Sequence, residues 1–381
     1  MPNPLPGAWL LVSLAGASNA ARAAPRAPAS SEAQTHPTAD AAARCGSTER
    51  YTVPTADSAV IALHRHPADG PPVLLVHGIS SNHHFMDLKP DRSLAVALQQ
   101  AGYDTWLLDL RGHGDATTDA LGQVQRSGWT MDDYGRYDLP AAVGFVLGTT
   151  GYAQLGYVGH SMGGMVLAIY AALHGDAQIA AAVVLGSPVD FSAPDGLMRA
   201  GRVGMGLGSL TRRVPSPAAA RLAARLPRLP LRLDDLLYAR GSIDSSTRKQ
   251  MYREVVSPLS RQELRQLGLV IGGERFGSVD GAVDYTAALS EFQAPILVVA
   301  GAADRVAPAP RVLAWQDLVG SSEVTALLLS IEQGFGADYG HLDSLVGDRA
   351  AAEVYPRITT WFAGRWSPAT GLIGASGPGD R

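Results

Sequence analysis

Short apolar segments that lack polar alternation recur along this chain, and they constrain its fold more than any other feature. Such segments are typical of strands that are buried on both faces of a sheet. Helical patterns lie between several of them, at 94–100, 139–147 and 162–173. This alternation predicts an α/β fold with a mostly parallel sheet, helices on both faces and right-handed crossovers. The predicted strands are Val73–Val76, Asp104–Leu108, Leu155–Val158, Ala182–Leu185, Ile296–Val299 and Thr325–Leu329.

The stretch 191–290 interrupts the alternation because it contains no convincing buried strand. Its Leu-, Ala- and Arg-rich runs, such as Ala218–Leu226 and Arg261–Leu269, predict a helical insertion between two sheet strands. The stretch has fifteen basic and nine acidic residues, a net charge of +6, although the whole chain carries −4. We interpret its arginines as side chains whose apolar stems cover helix faces.

Both ends of the chain have a composition that separates them from the folded body, which we expect at 49–364. Trp9–Ala17 is an apolar run followed by small residues, so residues 1–23 are a candidate signal peptide. Residues 24–48 are predicted to be a low-complexity linker, and 365–381 a flexible tail. We therefore expect the protein to be exported and to be periplasmic or secreted. If residues 1–23 are not a signal peptide, the expected location is the cytoplasm.

Composition and charge argue against several classes of function. A formal charge of −4 is not that of a chain built to hold nucleic acid through its phosphates. A single cysteine, Cys45, excludes an internal disulfide framework and a cysteine-based zinc cluster. No apolar stretch has the roughly 20 residues that a transmembrane span needs. The pair His83-His84 has no further ligands evident around it, so no metal site is expected.

The strongest local motif is Gly159-His160-Ser161-Met162-Gly163. A predicted strand precedes it and an apolar helix follows it, which is the context in which a Gly-x-Ser-x-Gly turn exposes a nucleophilic serine. The turn strains the serine backbone and lifts its Oγ above the sheet. Ser161 is therefore the candidate nucleophile.

A serine hydroxyl needs a base, and the base needs an acid that orients it. Asp304 and His341 each follow a later predicted strand, so both should reach the sheet edge where Ser161 lies. This predicts His341 as the base and Asp304 as the acid. Asp190, after an earlier strand, and Asp343, two residues beyond the histidine, remain alternatives for the acid.

Two backbone amides are candidates for binding an oxyanion. The N–H of Met162 stands at the predicted helix N-terminus, where amides lack partners and the helix dipole favours negative charge. Ile79 follows the first buried strand in the turn His77-Gly78-Ile79-Ser80, and Gly78 would let the backbone approach a substrate carbonyl. His77 and His160 adjoin these turns and are interpreted as structural, whereas His64 and His66 alternate on an early strand and are expected to face solvent.

These motifs together resemble the serine α/β-hydrolase superfamily, with the core at 49–190 and 291–364 and a helical cap at 191–290. Within it, Ser93-Leu94-Ala95, Gly102–Trp106, Arg111-Gly112 and Tyr137–Pro140 are similar to acid lipases and, more distantly, to polyhydroxyalkanoate synthases. This chain departs from each family at one position. The synthases use a cysteine nucleophile, whereas this chain has Ser161, which points to hydrolysis. Acid lipases commonly have Gln directly after the nucleophile, where this chain has Met162. The resemblance implies Ser161, Asp304 and His341 as a triad and Ile79 and Met162 as the oxyanion hole.

We expect the protein to hydrolyse small-molecule carboxylic esters, without a cofactor, through an acyl-enzyme on Ser161. Two alternatives stay open. An acyltransferase would use the same triad while excluding water. A non-catalytic binding protein on this fold would normally have lost a member of the triad, and all three residues are present here.

Overall fold

The structure, a computed structural model, describes residues 49–116, 128–192, 216–226, 234–273 and 275–366. The predicted signal peptide and linker, and the predicted tail from residue 367 onward, lie outside these ranges. In the part of the chain that the structure describes, no helix is both long enough and apolar enough to cross a bilayer.

The core of the fold is an eight-stranded sheet with the strand order β1-β2-β6-β3-β7-β8-β9-β10. β1 and β2 pair antiparallel, as do β2 and β6, and all other neighbours are parallel. A separate small ladder joins β4 to β5. The strands are β1 (Glu49–Pro54), β2 (Val60–His66), β3 (Pro72–Val76), β4 (Asp87–Lys89), β5 (Arg92–Ser93), β6 (Asp104–Asp109), β7 (Leu155–His160), β8 (Ile179–Leu185), β9 (Ile296–Gly301) and β10 (Val324–Leu329).

Helices connect and cover these strands. Short 3₁₀ turns lie at His83–Phe85, Leu289–Glu291 and Ile331–Gln333, and a π-helical turn at Tyr134–Asp138 joins α2 to α3. The α-helices of the described residues are α1 (Leu94–Gln100), α2 (Met131–Asp133), α3 (Leu139–Thr150), α4 (Met162–His174), α5 (Ser216–Ala223), α6 (Asp234–Leu237), α7 (Ser245–Glu254), α8 (Arg261–Gly273), α9 (Tyr285–Ala288), α10 (Ala309–Leu313), α11 (Trp315–Leu318), α12 (Asp343–Val346), α13 (Ala350–Glu353) and α14 (Tyr355–Ala363).

The two-sided burial of the central strands explains why their sequences lack polar alternation. On β3, Leu74 and Val76 belong to one hydrophobic cluster, whereas Val73 and Leu75 belong to another. Successive side chains of a strand point to opposite faces, so each face of the sheet has its own apolar layer beneath helices. All six predicted strands and the three predicted helices between them are confirmed, with ends that differ by a few residues.

The expectation that His64 and His66 face solvent is wrong, because each is 3% exposed. β2 lies inside the sheet, between β1 and β6, rather than at its edge. Both imidazoles bond buried carboxylates: His64 Nε2 lies 3.1 Å from Asp109 Oδ2, and His66 Nε2 lies 2.8 Å from Asp87 Oδ2. A buried polar side chain needs such a partner, and the two aspartates supply it.

The described part of the insertion between β8 and β9 is helical, with α5 to α9 and a single isolated bridge between Gly277 and Asp284. Its helix α8 is tied to the core by polar contacts. Gln266 Oε1 accepts the Met131 N–H at 2.7 Å, and Ser260 Oγ donates to the Trp129 carbonyl at 2.7 Å. These bonds hold the insertion against the segment that begins α2.

Glu263, in the first turn of α8, is fully buried. Its Oε2 accepts the Ser260 N–H at 3.2 Å, as in a capping box. Burial raises the pKa of this carboxyl to about 8. The folded state thus holds the proton over a pH range in which the unfolded chain has lost it.

Glu263 should therefore make the protein less stable as pH rises. Its contribution is complete below the unfolded pKa of about 4.3 and falls by about 1.4 kcal/mol per pH unit until the folded pKa is passed. Glu263→Gln removes this titration. Denaturant unfolding at pH 5, 7 and 9 should show the stability of the variant rising relative to the parent protein with pH. A difference that does not change with pH would contradict this account of Glu263.

Candidate active site

Ser161 occupies a strained turn between β7 and α4. Its backbone has φ 52° and ψ −118°, a combination that a non-glycine residue rarely adopts. The turn needs glycine next to it, because a Cβ at Gly163 would lie 2.2 Å from the Val76 carbonyl oxygen. The Gly-x-Ser-x-Gly motif thus lets the start of α4 pass directly over the end of β3, with Ser161 at the apex.

His341 joins Ser161 to Asp304 by hydrogen bonds. Its Nε2 lies 3.0 Å from Ser161 Oγ and its Nδ1 lies 2.7 Å from Asp304 Oδ2. A carboxylate only accepts, so Nδ1 carries the hydrogen and Nε2 is free to accept the serine O–H. The three residues lie in the segments that follow β7, β9 and β10, and each is at most 7% exposed. The structure therefore brings together all three residues of the predicted triad.

The loop after β9 fixes the Asp304 carboxylate. Its Oδ1 accepts the backbone N–H groups of Val306 and Ala307, both at 2.8 Å, while Oδ2 faces His341. The two other candidate acids bond elsewhere. Asp190 accepts the Ser192 N–H at 2.8 Å, and Asp343 accepts the Ala239 N–H at 3.3 Å. Of the three carboxylates, Asp304 alone contacts the imidazole in the described structure.

Ile79 and Met162 both line a cavity that also contains Ser161. Met162 opens α4, so its N–H has no acceptor within the helix. The Gly78 turn packs against the serine, because a Cβ at Gly78 would lie 3.1 Å from Ser161 Cβ. Ser80, at φ 54°, ends this turn, and its Oγ donates to the Ser257 carbonyl at 2.8 Å. Both predicted oxyanion residues thus lie beside the nucleophile.

His160 and His77 are buried beside these turns and form hydrogen bonds to backbone carbonyls, in line with the structural role predicted for them. His160 Nε2 donates to the His341 carbonyl at 3.0 Å, so it links the residue before the serine to the histidine loop. Burial, with a smaller effect from His341, keeps the pKa of His160 well below its usual value. His77 Nδ1 donates to the Gly78 carbonyl at 2.7 Å. The contact between His160 and His341 is long-range, and the motif alone did not reveal it.

A second polar cluster that sequence reasoning missed lies behind the Ile79 turn, where His64 and His83 converge on Asp109. Their ring nitrogens lie 3.1 and 2.8 Å from the same oxygen, Oδ2. The group has the composition of a metal site. The two rings are stacked, with centroids 3.6 Å apart and planes 21° apart, and each directs a ring nitrogen at the same carboxylate oxygen. We interpret the cluster as a hydrogen-bonded scaffold for the loop at His83.

The cavity at Ser161 has a volume of about 350 Å³, and its walls come from both the core and the insertion. Apolar side chains supply nearly all of its surface. Among the residues that the structure describes, Arg305 is the one charged member of the wall, and it directly follows Asp304 in the chain. The lining residues are Ile79, Met131, Ser161, Met162, Met165, Pro188, Phe191, Leu236, Leu267, Ile271, Arg305, Val306 and Ala307.

The fold and this geometry define an α/β protein with a serine on a strand-to-helix turn, bonded to a His-Asp pair. Residues 71–326 of the 381 match the sequence pattern of the alpha/beta hydrolase fold family. The chain belongs to this family.

Two curated relatives cover part of the chain. Lipase 3 of Drosophila melanogaster is 34% identical over 127 residues, and the gastric triacylglycerol lipase of Homo sapiens is 35% identical over 128 residues. Each match covers 30% of this chain and 32% of the relative, so the chain spans about a third of the length of the curated relatives it matches.

Solved structures share the fold over most of the chain. An esterase from Thermogutta terrifontis aligns with a TM-score of 0.56 at 18% identity, over 83% of this chain and 99% of its own. A bromoperoxidase from Bacillus anthracis aligns with the same score, identity and coverage. At this level of identity the two structures establish the fold and leave the reaction to be argued from the site.

Proposed function

We propose that the protein hydrolyses carboxylic esters, with Ser161 as nucleophile, His341 as general base and Asp304 as its orienting acid. The observation that carries this proposal is the continuous hydrogen-bonded path from Ser161 Oγ through the imidazole to Asp304 Oδ2. The curated relatives that match part of the chain carry the names of lipases, which supports an ester substrate.

In the proposed mechanism, Ser161 Oγ attacks the acyl carbonyl carbon while His341 Nε2 takes the hydroxyl proton. The negative charge that develops on the carbonyl oxygen is stabilised by the N–H groups of Ile79 and Met162. His341 then protonates the leaving alkoxide, and the carbon–oxygen bond to the alcohol breaks. The same imidazole takes a proton from a water molecule that attacks the acyl carbon, and it passes the proton to Ser161 Oγ as the bond from the acyl carbon to Oγ breaks and the acid leaves.

The apolar cavity supports an ester with an apolar acyl chain. Its three methionines, Met131, Met162 and Met165, are unbranched and adaptable, and such side chains accommodate chains of more than one shape. Most ligand pockets are apolar in this way, with few polar groups to set orientation.

Reaction with a fluorophosphonate probe tests the nucleophile and the reaction class together. We expect the probe to label Ser161 alone, and the labelled protein to lose hydrolysis of p-nitrophenyl esters. Acyltransferase activity is the second candidate because it uses the same triad. Adding a primary alcohol during turnover separates the two: a hydrolase releases mainly free acid, and a transferase releases mainly the new ester. A protein that the probe does not label would point to the binding-protein alternative.

We further propose that residues 1–23 direct export, that 24–48 form a linker and that 191–290 act as the cap over the core at 49–190 and 291–364. The apolar run Trp9–Ala17 and the small residues after it support export. Terminal sequencing of native protein should then place the mature N-terminus between Ala21 and Ala24. Native protein that begins at Met1 in the cytoplasmic fraction would refute export.

A further inference from the structure

The wall of the active-site cavity contains an arginine that neither the proposed triad nor the oxyanion hole uses. Arg305 lines the cavity with Ser161, and the other described residues of the lining are apolar. Apolar side chains are sufficient to bind an acyl chain, so acyl binding does not explain why an arginine lines this cavity.

Arg305 has no partner inside the described residues, since it forms no hydrogen bond or ion pair there. Two other arginines of the described residues are engaged elsewhere: Arg311 Nη1 donates to the Asp190 carbonyl at 2.9 Å, and Arg111 pairs with Asp57 and Asp138. Arg305 itself is exposed and lines the cavity, so this part of the cavity wall is accessible to water.

The backbone that carries Arg305 is held in place. Asp304 Oδ1 accepts the N–H groups of Val306 and Ala307, and Oδ2 is bonded to His341. The residue between these contacts therefore keeps a fixed backbone position relative to the reacting groups. The Arg305 side chain therefore starts one residue from the proposed acid of the triad and lines the same cavity as Ser161.

We propose that Arg305 binds an anionic group on the alcohol portion of the ester, and so selects amphiphilic substrates. This inference rests on the proposed ester hydrolysis. The guanidinium forms a planar fork of donors that matches a carboxylate or a phosphate. The apolar interior accepts the acyl chain, while the alcohol portion remains at the mouth, beside the exposed cation. An anion on the acyl chain would instead have to enter the apolar interior, which is costly.

Two pairs of esters test this placement. The first pair compares the hexanoate ester of 4-hydroxybenzoate, whose leaving group is anionic, with the hexanoate ester of 4-hydroxybenzamide, which has nearly the same shape and no charge. The second compares p-nitrophenyl hemiadipate, with the anion on the acyl side, with p-nitrophenyl hexanoate. For each pair the ratio of kcat/KM, anionic over neutral, is measured in the full chain and in Arg305→Gln.

We expect Arg305→Gln to lower the first ratio roughly three- to tenfold, as for a solvent-accessible ion pair with good geometry. The second ratio should change less. High salt should lower the first ratio in the parent protein, because salt screens the ion pair between Arg305 and the anionic leaving group. Arg305→Lys should recover part of the first ratio, and Arg349→Gln, which removes an exposed arginine far along the chain that does not line the cavity, should leave both ratios unchanged.

An unchanged first ratio in Arg305→Gln would overturn the inference, and so would a fall confined to the second ratio or an equal fall in Arg349→Gln. These outcomes are distinct from failure of the proposed function. If the parent protein hydrolyses none of the four esters, ester hydrolysis itself is wrong. If it hydrolyses the neutral esters normally and Arg305→Gln changes neither ratio, only the role of Arg305 is wrong.

Discussion

Ser161→Ala should reduce hydrolysis of short p-nitrophenyl esters by about four orders of magnitude or more. Without Oγ no acyl-enzyme forms, and only binding and the oxyanion donors remain to accelerate attack by water. The effect should appear in kcat, because the hydroxyl is needed in the transition state and contributes little to ground-state binding. Initial rates at saturating ester, with purified parent and variant proteins, measure it.

The melting temperature should change little in the same variant. The native residue already has a Cβ at φ 52°, so alanine fits the same backbone. Among the described residues, the substitution removes only one side-chain hydrogen bond, the 3.0 Å contact to His341. A variant that melts normally and has lost activity separates chemistry from folding. Retention of most of the activity by folded Ser161→Ala would exclude this serine as the nucleophile.

The central strands could be predicted because their burial leaves a direct trace in the sequence. On β3 and β8 the residues are apolar in succession, since both faces of the sheet are covered. The helical insertion could be predicted for the complementary reason that its Leu-, Ala- and Arg-rich runs contain no convincing buried strand. β2 shows where this reasoning fails. His64 and His66 look like an exposed alternation, and only the placement of the strand inside the sheet, with Asp109 and Asp87 as partners, makes them internal.

The contact of Ser161 with His341 could be anticipated because chain order and strand ends determine it. In a parallel sheet, the loops after successive strands meet at one edge, whatever their separation in sequence. The cavity could not be anticipated in this way. Its wall combines residues as distant as Ile79, Phe191, Leu236 and Ile271, and no local pattern records which side chains of the insertion face the serine. The sequence places Arg305 next to Asp304. Its exposure at the cavity, and the absence of a hydrogen bond or ion pair to it among the described residues, are known only from the structure.

The identity of the acid is the point on which sequence left a choice, so its substitution is informative. Asp304→Asn should lower kcat by roughly three to four orders of magnitude. An amide can donate to the imidazole through its nitrogen and thereby favour the tautomer with hydrogen on Nε2, which cannot accept the Ser161 proton. The amide also lacks the charge that stabilises the imidazolium formed during attack.

Asp190→Asn is the matched control, because this carboxylate also follows a sheet strand and makes the same kind of Asx contact, to the Ser192 N–H. An asparagine oxygen can still accept that bond, so the change should cost less than about tenfold in kcat. Asp343→Asn should likewise cost less than about tenfold, since its contact is to the Ala239 N–H and not to His341. Parallel measurements of kcat and of thermal unfolding on the three variants decide the matter. If Asp190→Asn loses activity and Asp304→Asn keeps it, Asp190 is the acid. Ser161 and His341 would keep their proposed roles, since their 3.0 Å contact does not depend on which carboxylate orients the ring.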